Sequence, residues 1–170
     1  MKADSDLIKI LLENQGEDSE TTWAEDLGPV GTEGARRVRL CNVPFLHSRP
    51  THSDELIVAP GIDGMLTWDR AGVPWERIDE RIERDGGKYA MIVDYAPHEG
   101  VDSAEVFAGL DQAATSHQAV AEGCYGPRGE RPGRIYLAVP EERPVEAMME
   151  ALTAAKVQAR LILVHPLDEP

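Results

Sequence analysis

Apolar and polar positions change character near the middle of the chain. Leu7, Ile8, Ile10, Leu11 and Leu12 crowd together, and Leu7 to Glu13 reads as a strand, with a short helix as the alternative for so brief a run. After the turn-rich Asn14 to Ser19 come Thr21-Thr22-Trp23-Ala24-Glu25 and the cluster Gly28-Pro29-Val30-Gly31. Val38, Leu40 and Val43, separated by Arg39 and the pair Cys41-Asn42, predict a partly alternating strand that Pro44 ends. Glu55 to Ala59 and Met65 to Asp69 predict two more strands, and the Asp63-Gly64 pair between them is a hairpin signal. Short antiparallel strands in this order imply an antiparallel β-sheet or small open barrel over residues 1–85.

From residue 86 the pattern alternates strands with helices. Trp75 to Asp85, just before, is charged and reads as a helical turn or a solvated strand, with Ile78 and Ile82 four residues apart. Tyr89 to Tyr95 is a nearly continuous apolar run, as expected of a strand covered on both faces. Asp102 followed by Glu105 predicts a capped helix start. Its apolar face holds Val106, Leu110, Ala113, His117 and Val120, and the helix is expected to end near Gly123. Cys124-Tyr125 then opens a short strand, Gly126 to Gly133 is a loop, and Arg134 to Val139 is a strand. Pro144 starts a second helix with Val145, Met148, Met149, Leu152 and Ala155 on one face, and Arg160 to Val164 closes the chain as a strand. The order over 86–170 is β-α-β-β-α-β, the ferredoxin-like plan, so the fold class expected is α+β.

Charge narrows the partners. Seventeen basic residues against 31 acidic ones give a net charge of -14, which argues against nucleic acid as the primary partner and against an anionic membrane surface. Residues 1–35 carry nine acids and only two bases, half of that net charge, and apolar strand residues interrupt them. Glu13, Glu17, Asp18, Glu20, Glu25 and Asp26 are therefore the expected partner-binding surface, suited to a basic protein. No apolar run is long enough to span a membrane and the opening residues are acidic, so the expected compartment is the cytoplasm.

Candidate chemistry is sparse. Cys41 and Cys124 lie far apart, as reduced thiols do, and belong to no metal-ligand cluster. The densest polar stretch is His47-Ser48-Arg49-Pro50-Thr51-His52-Ser53-Asp54-Glu55. His47, Arg49 and His52 are its candidate ligand-binding residues, and Cys41, His47, His52 and Asp54 its candidate catalytic ones, since nucleophile chemistry needs a thiol beside an oriented base. His47 and His52 are five apart, which matches no helical ligand pair, so no metal and no cofactor is expected. Tyr89, Tyr95 and Tyr136 on central strands lack the basic, Gly-Phe-rich setting of a base-stacking sheet and read as packing.

Three segments carry a resemblance. Glu20-Thr21-Thr22-Trp23-Ala24-Glu25, Val38-Arg39-Leu40-Cys41-Asn42-Val43-Pro44-Phe45, and the stretch from Glu122-Gly123-Cys124-Tyr125 to Ala138-Val139-Pro140 resemble the bacterial domain-of-unknown-function family numbered 4265, in the same order over roughly Leu7 to Val164. The resemblance implies a shared fold and a bacterial cytosolic protein, and no activity. The chain departs from the family's pattern at Ser53-Asp54-Glu55 and at Gly86-Gly87-Lys88-Tyr89, where members tend to carry a Gly-Asp pair and a Gly-His-Ser-Thr stretch. The function expected from these features is a small acidic, non-enzymatic binding protein, such as an immunity or antitoxin factor masking a basic partner. The alternative is an enzyme or small-molecule-binding accessory protein of a biosynthetic cluster, with its site around His47 to Asp54.

Overall fold

The computed structural model describes residues 6–13, 19–31, 34–46, 49–69 and 73–165. The chain divides into two units, Met1–Gly87 and Lys88–Pro170.

The first unit is built on five strands: β1 (Leu7–Glu13), β2 (Glu20–Pro29), β3 (Arg36–Leu40), β4 (Glu55–Pro60) and β5 (Leu66–Asp69). Each pairs antiparallel with the next, and β5 returns beside β1, so the sheet is a closed barrel rather than the open one the sequence suggested. A meander of five strands must bring its first and last together pointing the same way. Accordingly β1 and β5 are parallel, with Leu11 opposite Thr67 and Leu12 opposite Trp68. Closure leaves no edge strand exposed. Alternation along β1 sends Ile10 and Leu12 inward, where they meet Ala24, Val38, Leu40, Leu56, Val58 and Trp68. Trp75–Arg81 is a 3₁₀ helix, while Ile82 is extended and Arg84 bridges to Glu55, so the helical alternative holds for the first part of Trp75 to Asp85. Its Ile78 is buried in the same core, and the Trp68 indole N–H donates to the Arg81 carbonyl at 3.3 Å.

The second unit contains β6 (Lys88–Pro97), α1 (Ser103–Ser116), β7 (Val120–Tyr125), β8 (Gly133–Pro140), α2 (Val145–Thr153) and β9 (Val157–His165). The sheet order is β7-β8-β6-β9, with every neighbouring pair antiparallel. Tyr89, Met91, Val93 and Tyr95 of β6 share one core with Ile135, Leu137 and Val139 of β8, with Val106, Leu110 and Ala114 of α1, and with Met148 and Leu152 of α2. Both helices therefore pack on one face of the sheet. On the opposite face, buried Asp94 is held by Arg134 at 2.6 and 3.0 Å and by Arg160 at 3.3 Å, a tie across β8, β6 and β9. The Arg134 hydrogen bond holds the Asp94 carboxyl below its ordinary range.

Helix α1 begins as its sequence predicts, with the Asp102 carboxylate accepting from the N–H groups of Ala104 and Glu105. It ends seven residues before Gly123. His117 is its C-terminal cap, Gln118 takes the left-handed conformation at φ +60°, and Val120 already lies in β7. The terminator is thus a glutamine, and Tyr125 closes β7 instead of opening a strand. Gly123 has a different use: a Cβ there would stand 2.6 Å from a ring carbon of Phe107, so the missing side chain lets that ring settle on the strand.

Candidate functional site

The residues between Arg49 and Glu55 form a compact turn docked on the end of β3. Leu40 N–H donates to the Asp54 carbonyl and Ser53 N–H to the Leu40 carbonyl, each at 3.0 Å. Ser53 takes the left-handed conformation at φ +77°, which turns the chain so that the Asp54 carboxylate faces inward. One carboxylate oxygen accepts from Thr51 N–H at 2.8 Å and the other from Gly86 N–H at 2.8 Å. Arg49 reaches the same carboxylate at 3.3 Å. Its remaining guanidinium nitrogens donate to Asp79 at 2.8 Å and to Asp85 at 2.9 Å. Arg49 and Asp54 are fully buried, while Asp79 and Asp85 are about half exposed, their side chains 48% and 49% accessible.

One guanidinium thus gathers three carboxylates from three segments: the turn, the 3₁₀ helix and the connection that follows it. The planar fork of arginine suits this, because its five N–H donors diverge in fixed directions. Burial pushes the Asp54 carboxyl up to about 6, against the pull of Arg49 and of the two backbone N–H groups. Gly86 is part of the same construction, since a Cβ there would lie 2.6 Å from the Ser53 carbonyl carbon.

The candidate residues read from the sequence separate here. Arg49 and Asp54 are brought together, with their polar atoms committed to the contacts just described. His52 is half-buried, its Nδ1 2.7 Å from the Ser53 hydroxyl. His47 lies outside the described residues. Cys41 directs its thiol to the Arg39 carbonyl at 3.6 Å, and burial pushes that thiol above its ordinary range. Among the described residues no group of three or more His, Cys, Asp or Glu side chains is placed to hold a metal ion. Asp79, Asp85 and Gly86, which complete the cluster, escaped the sequence reading: they lie 30 to 36 residues from Arg49 or Asp54. Only the charged, glycine-ended character of that stretch could have pointed to them.

Three of the six acids of the expected surface are paired within the first unit. Glu20 accepts from Phe45 N–H at 2.9 Å and also from Leu46 N–H. Glu25 pairs with Arg39 at 3.2 Å. Asp26 takes the Arg36 Nε–H at 2.6 Å and Gly28 N–H at 2.9 Å, and the bond from Arg36 holds its carboxyl below the ordinary range. Glu13 is exposed at the end of β1. Glu17 and Asp18 lie outside the described residues.

Comparison with known proteins gives no family model, no curated protein and no solved structure that matches the chain. The described residues include no helix long and apolar enough to cross a membrane.

Proposed function

We propose that the protein is a small, acidic, non-enzymatic binding protein of the bacterial cytoplasm that engages a basic protein partner, as an immunity or antitoxin factor does. One observation carries this reading. The side chains with catalytic potential, Arg49, Asp54 and Cys41, are turned into the fold, while a row of carboxylates on the second unit stays uncompensated. Glu141 and Glu142 precede α2, and Glu146 and Glu150 stand one turn apart on it. All four are exposed, and none makes an ion pair among the described residues. Like charges at this spacing cost a helix some stability, and a cationic partner would relieve that repulsion. The proposed contact surface therefore centres on α2.

The sheet order β7-β8-β6-β9 supports reading the second unit as ferredoxin-like. The resemblance to the family numbered 4265 rests on the residues that carry it, and two of its three segments lie in the first unit. The segments that carry the resemblance are bonded to each other there, with Trp23 N–H on the Asn42 side chain at 3.1 Å, Cys41 N–H on the Trp23 carbonyl at 2.9 Å, and Glu20 on the Phe45 backbone.

The test uses a basic partner captured from the native host, titrated calorimetrically at several salt concentrations. The triple reversal Glu142→Lys, Glu146→Lys and Glu150→Lys is expected to weaken binding at least about tenfold and to flatten the salt dependence. Unchanged affinity and salt slope would remove α2 from the contact.

A further inference from the structure

Arg128-Gly129-Glu130-Arg131 makes a tight turn in the connection between β7 and β8. Arg128 and Arg131 exchange both backbone hydrogen bonds, at 2.9 and 3.0 Å, and Gly129 takes the left-handed conformation at φ +60°. Pro127 and Pro132 flank the turn and restrict the chain on either side. Residues that exchange both bonds stand directly opposite each other, about 5.5 Å apart at Cα, with their side chains on one face. Two arginines are thus held side by side, an arrangement that costs stability unless an anion lies against them. Both are exposed, and among the described residues neither makes an ion pair, Glu130 of the same turn included. The Arg131 guanidinium is already set in place, stacked on the Tyr125 ring 4.0 Å from its centre.

The complementary feature lies on α2 of the same unit. Glu146 and Glu150 are exposed, make no ion pair among the described residues, and stand one helical turn apart. That places their Cβ atoms about 6 Å from each other, which matches the spacing of the two arginines. Within one chain the two sets make no ion pair with each other. A projecting turn is not the concave site that encloses a small ligand. Two cations on one turn, in a chain of net charge -14, are also too few to hold nucleic acid.

We propose that the arginine turn of one copy docks on α2 of a second copy of this chain, with Arg128 and Arg131 pairing with Glu146 and Glu150. Each like-charged pair then receives the counter-charges that its own chain leaves it without. The overall negative charge of two copies opposes their encounter, but that repulsion is largely screened beyond about 10 Å at 0.1 M salt, while side chains in contact still attract. The acidic row is the surface assigned above to a basic partner, so a second copy would compete with that partner for it.

The experiment follows backbone amide chemical shifts of the full chain on dilution from about a millimolar, the weak range expected of a contact made by exposed ion pairs, in about 0.1 M salt. Concentration-dependent changes are expected at Gly129 and Glu130 and at Glu146 and Glu150, and should vanish in about 1 M salt. Arg128→Gln with Arg131→Gln, and separately Glu146→Gln with Glu150→Gln, should each weaken self-association at least about tenfold. Mixing the two variants restores one native contact. In the mixture the α2 amides of the labelled arginine variant should move while those of its turn stay still. Shifts independent of concentration, self-association of either variant at wild-type strength, or a mixture in which those α2 amides do not move would each overturn the proposal. No other protein is present, so these outcomes do not depend on whether a basic partner binds.

Discussion

Arg49 and Asp54 meet at 3.3 Å with both side chains shut off from water, and the pair sits between strands of the barrel and the 3₁₀ helix that covers its core. Removing two charges from solvent is costly, and their attraction offsets that cost only when the remaining donors and acceptors also find partners. Here they do, through Thr51, Asp79, Asp85 and Gly86. The pair is best understood as a fastener that fixes how three segments meet.

Its pH dependence should run opposite to that of the other perturbed carboxylates. Asp54 titrates at about 6 in the folded chain against an ordinary value of 3.8, so the folded state holds this proton more tightly than the unfolded state. Its contribution is therefore fully present below about pH 4 and declines as pH rises through 6, by about 3 kcal/mol in all. Asp26 and Asp94 are held low by their arginines, so their contributions are present at neutral pH and are lost as pH falls through their lowered values. Urea unfolding of wild type and Asp54→Asn at pH 4 and pH 7 separates the two effects. The variant should be at a greater relative disadvantage at pH 4, and an equal deficit at both values would show that Asp54 titrates normally.

Two adjacent glycines should respond differently to alanine. Gly86→Ala would drive a Cβ into the Ser53 backbone at 2.6 Å, which cannot yield as a side chain would, and would disturb the N–H that Asp54 accepts. A loss of about 2–4 kcal/mol is expected. Gly87 has open space around it and a φ of +71°, so Gly87→Ala should lose only about 1 kcal/mol, from backbone strain. Chemical denaturation of both variants gives the comparison, and a Gly87 effect equal to that of Gly86 would contradict the close contact.

Cys41 should behave as a sluggish thiol. Burial raises its pKa and its hydrogen bond runs to a backbone carbonyl, so little thiolate forms at neutral pH. In a Cys124→Ser background, alkylation by iodoacetamide at pH 7.5 should be at least about tenfold slower than in urea-unfolded chain. Labelling faster than in the unfolded chain would restore Cys41 as a nucleophile.

What the sequence made legible was local. The β-to-α/β change near residue 86, the Asp102 cap, Val106 and Leu110 on the buried face of α1, and Met148 and Leu152 on that of α2 follow from periodicity over a few turns, and the structure has them. The missed features depend on meetings across the chain. Barrel closure needs β1 beside β5, and nothing in Leu11 or Thr67 announces a parallel partner. The end of α1 was assigned to the nearest glycine, yet Gln118 makes the left-handed turn earlier, because β7 must start at Val120 to pair with Ala138. The acids of the first strands looked like a free surface because their neutralising partners, Arg36 and Arg39, lie on the next strand, where linear charge counting does not pair them.

Synthesis delivers the barrel strands in order, and β1 has no second neighbour until β5 emerges. Leu11 must wait for Thr67, and at about 5–20 residues per second that leaves an apolar strand edge unprotected for several seconds on the ribosome. A nascent chain halted before Leu66 would present four strands with two open edges, the form in which this unit is most exposed to aggregation and most dependent on chaperones.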